Sequence, residues 1–443
     1  MTAAHDEPIP FDPDPHPAKH VRPWLWGLLY LPFGVTSGFV SVTLAYLLAY
    51  GNPPHLSFGG LYMANLMPPR WGVFWGRVPD STIAGLVALN LLPHTWKFFW
   101  SPVADVTLTR KRWYTLSNLV STATIVGIAF TPIRAPSLGV ISALVFFNSL
   151  AITVLGMAVE GLMAHATPPE ERGRAAGWFQ AGNLGGSGVG GGVALLLAQH
   201  VSSKVAFLAT AGLCLACQYI LTLVPEETRV DHVGTFFRRF GHALAEVGKD
   251  LWSMLASRRG IIAVLLVFLP IGSAAASGLF SAMASNWNAS AELVSMTGWV
   301  GGLVAVVGSL LGGWMSDGVG RRTAYILSGL ILAAFAAGMG LAPRNAATYT
   351  IFVLLYNLGS GIAYGCFTGF VLSVIGKGAV ATKYNALASL SNVPIWYMTL
   401  VLGWASTKHG QVHMLYVDAL SEVAGVVLLI LMLVIVRPGK DEA

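Results

Sequence analysis

The chain alternates between long apolar runs and short polar connections. Twelve runs can be placed, at about 24–49, 81–101, 114–132, 137–164, 174–199, 204–224, 261–284, 293–315, 322–342, 348–375, 382–406 and 414–436. Each is close to the ~20 residues that a helix needs to cross the hydrocarbon core of a bilayer. An open strand edge cannot be satisfied in lipid, so the runs predict helices. The basic residues are sorted as well. If the N-terminus is inside, 19 of the 26 Lys and Arg fall on the inner side and 6 on the outer, and Lys97 lies within a span. The positive-inside bias then predicts that both termini are cytoplasmic.

Composition narrows the class. Charged residues make up 10% of the 443 and hydrophobic residues 55%, where soluble domains average about 25% charged. That excludes a cytosolic enzyme, a disordered protein and a nucleic-acid binder. The net charge of +6 comes from basic residues in short loops. Three cysteines, two of them Cys214 and Cys217 in one apolar run, give no disulfide framework.

The expected organisation is a disordered cytoplasmic tail (1–22, Pro-rich between charges), a six-helix bundle (23–224), a cytoplasmic linker (225–260), a second six-helix bundle (261–436) and a short tail (437–443). Within the linker, Phe237, Phe240, Leu244, Val247, Leu251 and Met254 recur at helical spacing with Arg238, Arg239 and Lys249 between them. That pattern predicts an amphipathic helix lying on the inner leaflet. The connection 50–80, rich in Pro, Trp and Phe, is read as an interfacial aromatic belt, with a lid or a stacking surface for substrate as the alternative.

The two halves repeat in the same direction. Leu31-Pro32-Phe33-Gly34 matches Leu269-Pro270-Ile271-Gly272 at an offset of 238, and Ser37-Gly38 recurs as Ser277-Gly278 at 240. Asn148 and Asn357, Asn183 and Asn392, and Gln199-His200 and Lys408-His409 all match at 209. The drop of 29 residues is accounted for by the connection 50–80.

Two parallel six-helix repeats resemble the major facilitator superfamily. The segment Gly313-Trp-Met-Ser-Asp317-Gly-Val-Gly320-Arg321-Arg322 resembles that superfamily's loop motif, with Gly318 at a position usually basic. Its first-half counterpart is degenerate, Asp105 followed by Arg110-Lys111-Arg112. The resemblance implies an all-α membrane protein with twelve transmembrane helices in the major facilitator fold, acting as a monomer. Asp105, Arg112, Asp317, Arg321 and Arg322 would form a charged latch, since an Asp at a helix end can pair with Arg and cap a neighbouring helix.

Two further stretches resemble AmpG-like muropeptide permeases and the related acetyl-coenzyme A transporters. One is Pro93-His94-Thr95-Trp96-Lys97-Phe98-Phe99-Trp100-Ser101-Pro102-Val103-Ala104-Asp105. The other places Glu160 eight residues before Pro168-Pro169-Glu170-Glu171-Arg172-Gly173. The Thr-Gln-Asp that such permeases carry before the second carboxylate is Val154-Leu155-Gly156 here. The resemblance implies a secondary transporter in a bacterial inner membrane for an amphipathic anion such as a muropeptide. Another solute (a drug, a sugar, an acyl-coenzyme A) and a non-transporting assembly factor on the same fold are the alternatives.

Several polar residues inside spans are candidates for that chemistry. An intramembrane ionisable residue costs at least ~2.5–3.5 kcal/mol and is functional by default. Lys97 is therefore the candidate anchor for an anionic group, with a fixed bridge to Glu160 or to a backbone carbonyl as the alternative. Glu160 is the candidate proton carrier, with an inner-gate pair to Arg172 or Arg174 as the alternative. Asn148, Asn183, Asn357 and Asn392 are the candidate substrate ligands. His94 is read as a satisfied packing histidine, and Asp418 and Glu422 as solvated acids at the outer end of span 12. Seven glycines between Gly182 and Gly192 contain a G-x-G-x-x-G match without the strand-turn-helix context of a dinucleotide site, so they read as close helix packing. No nucleophile–base constellation, metal-ligand spacing or Walker motif is present, so no enzyme activity, catalytic residue, metal or cofactor is expected. The expected partners are the bilayer, a small solute and a proton gradient, not nucleic acid.

Overall fold

The computed structural model describes residues 21–51, 78–97, 107–167, 172–225, 267–374 and 386–435, with 241, 245, 248, 249, 252, 264 and 265 as isolated positions. The readings of the tails, the linker helix, the connection 50–80 and Asp105 fall almost wholly outside these residues.

Among the described residues the chain is all helical. The elements are α1 (Trp24–Tyr50), α2 (Asp80–Thr95), α3 (Arg110–Phe130), α4 (Leu138–Ala166) and α5 (Arg172–Gly188, continuing to His200). They continue with α6 (Ser203–Ile220), the single turn α7 (Phe280–Met283), α8 (Ala291–Val319), α9 (Arg321–Leu341), α10 (Ala346–Val374), α11 (Asn392–His409) and α12 (Gln411–Ile435). Among the described residues, ten helical runs are long and apolar enough to cross a membrane. The outer faces carry exposed Phe130, Val307, Leu310, Leu420 and Leu431, which suits lipid and not water. Hydroxyl and amide side chains such as Thr43, Asn118, Ser121 and Asn148 are buried instead.

Span 7 departs from the expected continuous helix. Pro270 lacks an N–H and cannot continue a helical ladder. Gly272 and Ala274 follow with φ of 71° and 50°. The chain then resumes as a 3-10 turn (Ala275–Leu279), α7 and a second 3-10 turn (Ala284–Trp287).

Small residues set the packing. Helix α5 lies against α1, and α8 against α10. At Gly34, Gly38, Gly182 and Gly190 a Cβ would overlap the backbone of the facing helix. Both α1 and α5 contain a π-helical stretch, Phe39–Leu44 and Val189–Val193. The two stretches face each other, and Thr43 Oγ1 donates to the carbonyls of Gly190 and Gly191 at 2.9 and 2.8 Å. The first and second halves meet chiefly where α2 packs on α11 and α5 packs on α8. At the second contact Gly188 and Gly192 lie directly on Trp299 and on the backbone of Ser295.

Candidate functional site

The break in span 7 and the π-helical stretch of α1 bound a cavity of about 220 Å³ between the halves. Helix α1 contributes Ser37 and Ser41, and α5 contributes Asn183 and Ser187. From the second half come Ser273, Ser277 and Ser281 of span 7, Thr297 of α8, and Tyr349, Asn357, Ser360 and Tyr364 of α10. No charged side chain is among the described lining residues. Ser37 and Ser277, and Ser41 and Ser281, are repeat pairs at the offset of 240, and all four line the cavity. That offset was the sequence signal for them. Serine is too common a residue for the signal to stand out in the sequence.

The cavity is closed at the end where α1 finishes and α2 begins. Asp80 Oδ2 accepts from Ser406 Oγ at 2.6 Å and from Gln411 Nε2 at 3.0 Å. The Ser81 N–H donates to Thr407 Oγ1 at 2.8 Å. Tyr50 Oη donates to the Ala282 carbonyl and accepts from the Ser285 N–H. Ser281 Oγ donates to the Ser41 carbonyl at 3.0 Å. Every one of these bonds crosses from the first half to the second.

The four amides separate. Asn183 and Asn357 line the cavity, one from each half. Asn148 does not. Its amide donates to Ser121 and Thr124 of α3 at 2.9 Å each, so it ties α4 to α3. Asn392 donates to the carbonyls of Ala388 and Ser389, in the turn just before its own helix. The sequence repeat alone could not make this distinction, because the repeat partners Asn148 and Asn357 point into different surroundings.

Lys97 and Glu160 form an ion pair, Nζ donating to both carboxylate oxygens, with side chains 22% and 28% exposed. The ammonium that the sequence offered to substrate is thus held by Glu160, the fixed-bridge alternative. Tyr30 stacks on Phe33 and Phe179. It lies within electrostatic reach of Glu160 and of Tyr364 on the cavity wall. His94 is buried, bonded to Thr153 through Nδ1 at 2.8 Å, and its carbonyl accepts from Ser389 Oγ at 2.9 Å. Arg112, Arg321 and Arg322 are exposed at helix starts. The side chains of Asp317, Arg172 and Arg174 lie outside what is described.

Asp418 and Glu422 are not solvated acids at a helix end. Helix α12 begins at Gln411, so these acids sit two and three turns inside it. Both side chains are 0% exposed.

A family model described as Major Facilitator Superfamily matches residues 82–395. The chain belongs to the major facilitator superfamily. It is therefore a multi-pass membrane protein. This superfamily member is 26% identical over 270 residues to the anhydromuropeptide permeases of Escherichia coli K12 and O157:H7, over 59% of this chain and 54% of theirs. The chain spans about half the length of the curated relatives it matches. Among solved structures, the xylose transporter XylE of E. coli, in a partially occluded inward-open conformation, matches with a TM-score of 0.67 at 14% identity, covering 95% of this chain and 99% of that one. The nucleoside transporter NupG matches at 0.65 and 13%, covering 92% and 98%. At these identities the structural likeness carries the fold alone.

Proposed function

We propose that this superfamily member is a secondary transporter that works by alternating access and couples movement of a hydroxyl- and amide-rich solute to the proton gradient. The observation that carries the reading is the cavity, lined from both halves and shut at one end by hydrogen bonds between them. Exchanging which end is shut moves a bound solute across the bilayer. In this reading the segments 23–224 and 261–436 rock as two units of a monomer. Both termini face the cytoplasm of a bacterium, and Asp80 closes the outer end. Asp105, Arg112, Asp317, Arg321 and Arg322 serve the inner latch. Asn183 and Asn357 hold the solute. Protonation of Glu160 releases Lys97 to a carboxylate of the solute, which joins the ion pair to coupling.

A muropeptide is the first solute to test. The similarity to the anhydromuropeptide permeases and the motifs around Lys97 and Glu160 support it. A neutral sugar-like solute is the second reading, favoured by a cavity lining without charge. The test is uptake of labelled GlcNAc-anhydro-muramyl peptide into proteoliposomes, with and without an imposed pH gradient. Uptake driven by the gradient and lost in Lys97→Ala is the expected result. Uptake of a neutral disaccharide but not of the muropeptide would overturn the first reading in favour of the second.

A further inference from the structure

Two carboxylates lie in the middle of the second half with no role in the cavity. Asp418 and Glu422 are one turn apart on α12 and share a face. Tyr356 Oη donates to Asp418 Oδ2 at 2.7 Å, and the Gly272 N–H donates to Glu422 Oε2 at 2.7 Å. The other oxygens, Asp418 Oδ1 and Glu422 Oε1, are buried without a partner. Helix α9 leaves room for the pair at Gly329, where a Cβ would come within 3.2 Å of Glu422 Oε2.

The surroundings contain no countercharge. The titratable groups facing the pair are Tyr325 of α9, Tyr356 of α10 and Tyr397 of α11. Two of the three spend their hydroxyls elsewhere, Tyr325 on the Ile271 carbonyl and Tyr397 on the Phe268 carbonyl. The segment 271–274 presents no titratable side chain, and no Lys, Arg or His faces the pair among the described residues. Two anions at this depth without a cation are too costly to keep, because even a single buried charge demands compensation.

There is also a route in. A small cavity of about 40 Å³ lies against Ile271, Gly272, Ser273 and Tyr325, room for about one or two waters. Ser273 lines both this cavity and the large one between the halves. Ser273 is 6% exposed, and its hydroxyl approaches Glu422 without reaching ordinary hydrogen-bond geometry.

We infer that Asp418 and Glu422 form a proton-binding site of the second half, reached from the solute cavity past Ser273. The site sits on the break in span 7, because the Gly272 N–H left free of a helix is the donor to Glu422. Loading or losing the proton changes what that N–H is bonded to, and so acts on the cavity wall from Ser273 to Ser281. This assignment rests on the transporter reading and adds a second proton site beside Glu160.

Infrared difference spectroscopy on the full chain in proteoliposomes tests it without a solute. The expected result is a protonated-carboxyl C=O band at neutral pH, lost as pH rises and unchanged when sodium replaces choline in the buffer. Asp418→Asn and Glu422→Gln each remove part of that band. Carbon-13 labelling of the aspartate carboxyls shifts the Asp418 component in the unsubstituted protein, so the assignment survives a variant that does not fold. No such band, a band indifferent to both substitutions and to labelling, or a band displaced by sodium overturns the proposal, the last in favour of a cation site. Gradient-driven uptake with no band sinks the site and leaves the transporter reading standing. A band that meets these criteria, with no uptake of any solute offered, supports the site and sinks the transporter reading instead.

Discussion

At the residue scale the polar groups divide into those that hold helices together and those that face the cavity, and substitutions should separate the two. Asn148 is buried and donates to Ser121 and Thr124. Asn148→Ala should cost about 1–3 kcal/mol of stability through the partners it strands, read as a lower melting point in detergent. Asn183→Ala and Asn357→Ala should leave melting nearly unchanged and raise KM for the transported solute. Removing one member of the Lys97–Glu160 pair should cost about 2 kcal/mol, less than the roughly 3–5 of a fully buried pair because the side chains keep some exposure. Lys97→Ala combined with Glu160→Gln should melt above either single variant. The sequence named Lys97 and Glu160 as possible partners, but which readings of the asparagines and the α12 acids hold was not legible. One amide in an apolar run looks like another until its neighbours are known. Asp418 and Glu422 resembled a helix end because hydropathy alone begins the span at about 414, whereas Gln411, Val412 and His413 are already helical.

At the element scale the hydropathy pattern carried most of the fold, since the bilayer imposes length and leaves helices as the only choice. It could not reveal the break in span 7. Pro270, Gly272 and the small residues after it remain apolar enough to read as a continuous helix, and only the positive φ angles mark the departure. Nor could it reveal the paired π-helical stretches of α1 and α5, where Thr43 bonds two carbonyls on the facing helix. Thr43→Val keeps the shape and removes the donor. It should cost about 1–3 kcal/mol, measured as the shift in melting point against Thr43→Ser. Gly190→Ala should be far more damaging. Its Cβ would occupy the place of the Val35 carbonyl, and backbone at that distance cannot yield. Loss of the monodisperse peak in size-exclusion chromatography is the expected outcome.

At the scale of the whole molecule, the closed end depends on few bonds. Asp80 alone accepts two of those that join α2 to the second half. Asp80→Ala should shift the population toward a state open at that end. A cysteine placed at Ser41, in a background without the three native cysteines, should then react faster with a membrane-impermeant maleimide added outside. An unchanged rate would mean that the remaining bonds from Tyr50 and Ser81 hold that end by themselves.

The glycine contact between α5 and α8 bears on the other end. At Gly188 and Gly192 the backbone of α5 meets Trp299 and Ser295 with no α5 side chain between them. Such a contact works as a bearing. Helix α5 extends sixteen residues from Gly188 back to Arg172, an arm of about 24 Å. A turn of about 10° at the bearing would swing the tip through about 4 Å, wider than a water molecule and longer than any hydrogen bond. Leverage of this kind lets a small angular change at mid-membrane open a passage at the surface.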